Sequence, residues 1–293
     1  ALALPDGHPR AAPGSARAGA PRARVGVINI MPRLEAYERY LLAPLAAAAD
    51  ALAVTIEPVF IQLGSHAYQS SDRAHLAQHY RPFADALAAG PLAALILTGA
   101  PVEELAYPDV HYYGELVDVL RHARAHVGCT LGLCWGGMLL AHLAGVGKRT
   151  FARKLFGVFT HAPVHPGGAA GDLVPAAGFP CAHSRHSGLV EADVDAAVAA
   201  GALRVVARGE RVGTTIVETT DGRLVGHLGH PEYEAERLAF QAANARPQAT
   251  FLTEEALRVM ALTPEITADE RQLLDRFWRR LPNVRHSQHL EGA

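Results

Sequence analysis

The sequence predicts an α/β domain in which helices flank a mostly parallel β-sheet, followed by a helical C-terminal appendage. Two observations carry that prediction. Short apolar runs without alternation, at residues 25–30 and 92–97, have the pattern of parallel strands buried on both faces. Stretches with helical apolar spacing separate such runs, and strands alternating with helices build parallel sheets. Of 293 residues, 49% are hydrophobic and 19% charged, enough apolar side chain for one large core.

Taken in order, residues 1–22 are rich in Ala, Pro, Gly and Arg and lack the apolar core of a secretory signal, so they are expected to form a flexible arm or a wrapping extension. The main domain is expected over 23–252. Its first strand, 25–30, is broken by Met31-Pro32-Arg33. Residues 34–53 then place Tyr37, Leu41, Leu42, Leu45 and Ala49 on one side of a helix. A strand at 54–61 leads into a polar stretch, 64–80, too long for a tight connection and therefore a candidate functional loop. The strand at 92–97 ends in Thr98-Gly99-Ala100-Pro101, and a helix is expected at 112–125. A strand at 130–133 runs into Cys134-Trp135-Gly136-Gly137 and an apolar helix at 138–144. Further strands are expected near 156–159, 203–207, 214–218 and 224–226. Residues 253–293 form the helical tail, with Thr253 as its N-terminal cap.

Composition excludes several functions. With 27 basic and 29 acidic residues the net charge is −2, against a phosphate-tracking nucleic-acid binder. No run of eighteen apolar residues predicts a membrane span. Three irregularly spaced cysteines, Cys129, Cys134 and Cys181, suit neither a disulfide framework nor a cysteine zinc site. A reducing, cytoplasmic compartment is the simpler expectation.

The strongest chemical signal is Gly132-Leu133-Cys134-Trp135-Gly136 between an apolar strand and a helix. A nucleophile on a sharp strand-to-helix turn needs small neighbours, because its backbone is strained and its flanks nearly touch. The following helix presents a positive N-terminus to an anionic sulfur, and the Trp135 N–H points toward an oxyanion formed at Cys134. A nucleophilic cysteine needs a base. His230, in Gly229-His230-Pro231-Glu232 just after the strand at 224–226, is the best placed, with Glu232 to fix its tautomer.

Together, Thr98-Gly99-Ala100-Pro101, the Cys134 elbow and His230-Pro-Glu232 resemble the class I glutamine-amidotransferase-like fold. Within it the chain is most similar to the MetA-type homoserine O-acyltransferases. The further stretches that carry this are Ile28-Asn29-Ile30-Met31-Pro32, Glu103, Phe156-Gly-Val-Phe-Thr-His161, His183-Ser184-Arg185 and Gly229-His-Pro-Glu-Tyr233, in family order from about residue 25 to 241. The resemblance implies a flavodoxin-like sandwich and a ping-pong transfer from acyl-CoA to an amino-acid hydroxyl through a Cys134 thioester. It implies no tightly bound cofactor and no metal, small-molecule substrates and a homodimer. Oxyanion donors would be the Trp135 N–H and the Gly99-Ala100 turn. Ser184 and Arg185 match positions near the amino acid, where a guanidinium suits a carboxylate. Glu103 matches a position that separates donors, a carboxylate there favouring acetyl over succinyl by like-charge repulsion.

The chain also departs from the family pattern. Arg33 and Leu34 stand where two lysines are usual, Asn244 stands where an arginine contacts the amino acid, and a W-R-S-H stretch is missing near the end. The acceptor is therefore open between L-homoserine and L-serine, one methylene shorter. A glutamine-amidotransferase-like hydrolase would share the elbow and the His-Pro-Glu, but the apolar stretch around Gly137-Met138 tells against glutamine recognition. A non-catalytic relative would have no need of the intact Cys/His/Glu set.

Overall fold

The computed structural model describes residues 1–5, 7–9, 19–164, 170–171, 174–234 and 237. Ten strands form one sheet in the order β3-β2-β1-β4-β5-β10-β9-β8-β6-β7. Its first half is parallel: β1 (Arg22–Ile28) lies between β2 (Thr55–Gln62) and β4 (Ala94–Leu97), and β5 (Cys129–Leu133) lies between β4 and β10 (Leu224–His227), with the two-residue β3 (Arg81–Pro82) at the edge. From β10 onward the sheet is antiparallel, through β9 (Gly213–Thr219), β8 (Leu203–Gly209), β6 (Lys148–Pro163) and β7 (Phe179–Leu189).

Side chains of the inner strands alternate between two cores. Val27, Phe60 and Leu133 pack with Leu34, Tyr37 and Leu41 of α1 (Leu34–Ala51) on one face. Ile28, Leu95 and Leu97 meet Leu116 and Leu120 of α4 (Tyr113–His126) and Trp135, Met138 and Leu139 of α5 (Trp135–Leu143) on the other. Shorter helices α2 (Arg73–His79), α3 (Phe83–Ala88) and α6 (Glu191–Ala199) complete the layers. A strand buried on both faces has no polar face to show, which is why the buried end of β1 (residues 25–28) and β4 read as unbroken apolar runs. No helix among the described residues is long and apolar enough to cross a membrane.

Several expectations change. The polar stretch at 64–80 contains α2, whose first turn is capped by Asp72 accepting from the N–H of Ala74 (2.8 Å) and His75 (3.2 Å). The strand expected near 156–159 is the sixteen-residue β6, and its partner β7 carries no apolar signature. The helix after the elbow starts at Trp135, three residues early. The N-terminal segment, expected as a flexible arm or a wrapping extension, is held at its start: Leu2 bridges Ile56 in parallel and the Ala3 N–H donates to the Ile56 carbonyl at 2.8 Å. The predicted tail at 253–293 lies outside the described residues.

The glycines around the elbow are demanded by contact. A Cβ on Gly132 would lie 2.5 Å from the Gly136 carbonyl, and one on Gly136 would lie 2.6 Å from the Leu97 oxygen of β4. The first turn of α5 therefore sits directly against the ends of two strands. Gly136→Ala should destabilise the domain by about 1–3 kcal/mol through backbone displacement, measured as a lower denaturant midpoint with an unchanged slope; an unchanged midpoint would show that the junction yields freely.

Candidate active site

Cys134 closes β5 and caps α5 with φ 50° and ψ −111°, a conformation that non-glycine residues rarely adopt. Two hydrogen bonds hold it there: its N–H donates to the His227 carbonyl at the end of β10 (2.8 Å), and its carbonyl accepts from Met138 N–H (3.0 Å). The side chain is thereby aimed into the crevice outside the carboxyl ends of the parallel strands, where open α/β sheets bind ligands.

His230 reaches the same place from β10, three residues beyond the strand end. Its N–H donates to the Ala182 carbonyl at 2.7 Å, pinning the turn to β7. The imidazole stacks on Tyr233 at 4.0 Å between centroids and lies within hydrogen-bonding reach of the Cys134 sulfur. Its Nδ1 meets Glu232 Oε1 at 2.7 Å, which leaves Nε2 for the sulfur. Glu232 also accepts from the Tyr37 hydroxyl of α1. All three members of the set are buried.

Burial alone would lower His230, but Tyr233, Cys134 and Glu232 outweigh it and hold the imidazole well above its ordinary range. Burial would raise Glu232, and the His230 charge together with hydrogen bonds from His230 and Tyr37 keeps it below the carboxylate range instead. Tyr37 is pushed far up by burial and by Glu232, so it remains a donor. Cys134 thus faces an imidazolium oriented by a carboxylate, the arrangement that nucleophilic cysteine catalysis requires.

A cleft of about 400 Å³ opens over this set, lined among others by Gly99, Ala100, Glu103, Lys154, Ser184 and Tyr233. A Cβ on Gly99 would lie 3.2 Å from that of Cys134, so glycine leaves the space beside the sulfur open. Trp135 is fully buried, its ring packed against Tyr107 and Tyr112 away from the cleft lining. Glu103 is buried in the cleft wall, its Oε1 accepting from the His186 N–H at 3.2 Å.

The expectation for Arg185 is corrected. Successive residues of a strand face opposite ways, and Ser184 takes the cleft side of β7. Arg185 is fully buried behind it, donating to His183 Nδ1 (3.1 Å), the Ser187 carbonyl (2.7 Å) and the Val212 carbonyl (2.9 Å). Burial lowers it to about 10, and its donors are spent inside the protein. Arg33 is likewise no part of the cleft: it is exposed, in a left-handed conformation at the start of α1, its N–H on Ser70 Oγ (3.2 Å). Asn244 lies outside the described residues.

Three participants escape sequence reasoning. Tyr37 and Tyr233 look like ordinary aromatic core residues, although Tyr233 adjoins the His-Pro-Glu stretch. Lys154 sits where the β6–β7 pairing is interrupted between Thr150 and Leu155, a local irregularity of the kind that re-aims side chains beside active sites.

The family model described as homoserine O-succinyltransferase matches residues 13–276. The chain belongs to this family. A homoserine O-acetyltransferase of Jannaschia sp. is 32% identical over 223 residues, 73% of this chain and 66% of that protein. Another, from Cereibacter sphaeroides, is 33% identical over 221 residues, 73% of this chain and 68% of that one. The chain spans about two thirds of the length of these relatives. A glutamine amidotransferase of Methylobacillus flagellatus superposes with a TM-score of 0.50 at 14% identity over 93% of this chain and all of that one, which shows a shared fold. The homoserine O-succinyltransferase family thus uses the class I amidotransferase sandwich here, with its elbow and histidine at the ends of β5 and β10.

Glu232→Gln should lower the His230 pKa, because the protein loses a charge and keeps the burial; imidazole NMR, with His230→Asn assigning the signal, reads the shift. Tyr37→Phe should raise the Glu232 pKa, moving the acid-side transition of the His230–Glu232 pair to higher pH. An unmoved His230 signal in both variants would contradict the coupling described.

Proposed function

We propose that this protein is an O-acyltransferase that moves an acyl group, acetyl in preference to succinyl, from acyl-CoA to the side-chain hydroxyl of L-homoserine through a thioester on Cys134. The observation that carries this reading is a single cleft lined by Cys134 and His230 together with a cation, Lys154. The family membership and the relatives' names support O-acyl transfer to homoserine, the family being described by succinyl and the relatives by acetyl.

In the first half-reaction the Cys134 thiolate attacks the thioester carbonyl of acyl-CoA. The tetrahedral intermediate collapses, the bond to the coenzyme A sulfur breaks, and the His230 imidazolium supplies the proton to the departing thiolate. In the second, neutral His230 takes the proton of the acceptor hydroxyl as its oxygen attacks the acyl-Cys134 carbonyl. Cleavage of the carbon–sulfur bond then regenerates the thiolate beside the imidazolium. The N–H groups of Trp135, Gly99 and Ala100 are the candidate oxyanion donors, and a donor of that kind contributes roughly 10²–10³ in rate. Glu232 and Tyr37 keep His230 in the reactive tautomer.

Lys154 takes the role expected of Arg185. It is half-buried, and burial lowers its pKa while Glu103 and Cys134 oppose that shift. An ammonium here pairs with the amino acid's carboxylate, and Ser184 offers a hydroxyl beside it. Glu103 leaves room for acetyl and repels the terminal carboxylate of a succinyl group. L-Serine would bind the same groups one methylene short of the acyl carbon. A hydrolase acting on glutamine would share the fold, the elbow and the His-Pro-Glu, but the family match and the relatives' names do not support it.

Rates with acetyl-CoA and succinyl-CoA, each against homoserine and serine, and ammonia release from glutamine test the reading together. Coenzyme A release fastest with acetyl-CoA and homoserine is expected; ammonia release without acyl transfer would overturn it. Lys154→Met should raise KM for the amino acid roughly 10- to 100-fold, the loss of a charge-assisted hydrogen bond, with a smaller change in kcat. Glu103→Gly should shift preference toward succinyl-CoA, and unchanged preference would remove Glu103 from donor selection.

A further inference from the structure

Away from the catalytic cleft, three segments remote in sequence bring metal-ligating side chains to one point. His8 Nε2 lies 3.1 Å from Glu38 Oε2, and His75 Nε2 lies 2.7 Å from Glu38 Oε1. One ligand atom from each of His8, Glu38 and His75 lies within 4.8 Å of the others. The His8 and Glu38 side chains are fully buried, whereas His75 keeps 10% of its side chain exposed and so offers a way in.

The surroundings are those of a built site. The Tyr80 hydroxyl donates to Glu38 Oε1 (2.9 Å) and accepts from Asn29 Nδ2 (3.2 Å), fixing the carboxylate from behind as outer-shell partners fix metal ligands. The His8 ring stacks on Phe60, with centroids 5.5 Å apart and planes 10° apart, which sets its orientation. A further imidazole, His79, packs against His8 at 4.9 Å and His75 at 4.6 Å, and its Nδ1 is buried without a hydrogen-bond partner among the described residues. Among the described residues Glu38 bonds two imidazoles and a phenol, so a cation bound between the imidazoles and the carboxylate would compensate its buried charge.

We propose that His8, Glu38 and His75 form a binding site for a first-row transition-metal dication, with zinc the best match. Two imidazole nitrogens and one carboxylate are a recurrent zinc ligand set, and a water in the fourth position completes a tetrahedron. Bonds of about 2.0–2.1 Å place tetrahedral ligands roughly 3.3 Å apart. The observed nitrogen–oxygen distances of 3.1 and 2.7 Å need to open by roughly 0.2 and 0.6 Å. On binding, the imidazoles act as neutral ligands and any proton they carry is released to solvent. The metal clips the N-terminal segment to α1 and α2. It also braces α1 at Glu38, next to Tyr37, the donor to Glu232. Ligands drawn one each from residues 8, 38 and 75 leave no spacing motif, which is why the sequence pointed to no metal.

The test uses the full chain, stripped with chelator and titrated with Zn²⁺ and Co²⁺. We expect about one equivalent retained after desalting, visible d–d absorption from cobalt, a higher Tm with zinc and protection of the N-terminal segment from limited proteolysis. His75→Gln and His8→Ala should each weaken retention at least 10-fold and abolish the zinc-dependent Tm rise. Cys134→Ala and a His122→Ala/His126→Ala double variant, which removes the histidine pair on α4 (rings 4.4 Å apart), should leave both unchanged. His8 lies outside the helices and the sheet, so His8→Ala leaves their backbone intact and remains decisive if His75→Gln misfolds. No retained metal in the wild type would overturn the proposal. So would retention unaffected by His8→Ala and His75→Gln, or lost in either control, because the metal would then sit elsewhere.

Discussion

The backbone of Cys134 is the constraint on which the rest of the site depends. Holding a non-glycine residue at φ 50° and ψ −111° costs about 1–3 kcal/mol, and the strain persists only because the surroundings leave no alternative. The Cys134 N–H is tied to β10, its carbonyl begins α5, and the glycines on either side let helix and strands approach within distances that no Cβ would tolerate. Relaxing the residue would pull α5 away from β4 and β10 together. The sulfur is therefore delivered to the crevice at the strand ends by the packing of the sheet itself.

The second requirement is charge where water is scarce. His230 and Glu232 are both buried, and an isolated charge there would carry a desolvation penalty of several kcal/mol. Each compensates the other at 2.7 Å, and Tyr37 satisfies the carboxylate further. This links three parts of the chain that meet nowhere else in sequence: α1, the elbow after β5 and the turn after β10. A change in how α1 is seated is thus felt at the base. Arg185 is fully buried behind β7 with its hydrogen bonds ending on two carbonyls and a neutral imidazole, and it acts on the Cys134 sulfur through its charge alone.

Much of this was legible from residues alone, for identifiable reasons. Buried parallel strands such as β4 and the buried end of β1 are continuous apolar runs, and the elbow needs glycines at fixed offsets from its nucleophile, so both leave local signatures. β7 left none, because the residues it buries include His183, Arg185 and Ser187, satisfied by hydrogen bonds rather than by apolar contact. Ser184 lines the cleft while Arg185 lies behind the strand, because neighbours on a strand face opposite ways, and nothing local in the sequence says that the segment is a strand. Lys154 enters the cleft through an irregularity in strand pairing, and Tyr37 through a contact 195 residues away, and neither has a local pattern to be read.

The most direct measurement of the central claim is mass spectrometry of the intact protein mixed with acetyl-CoA in the absence of any amino acid. The account predicts a single added acetyl group, mapped to Cys134 by peptide analysis, released on addition of the hydroxy amino acid and absent from His230→Asn. Turnover without a covalent adduct, or an adduct on Cys129 or Cys181 instead, would contradict it.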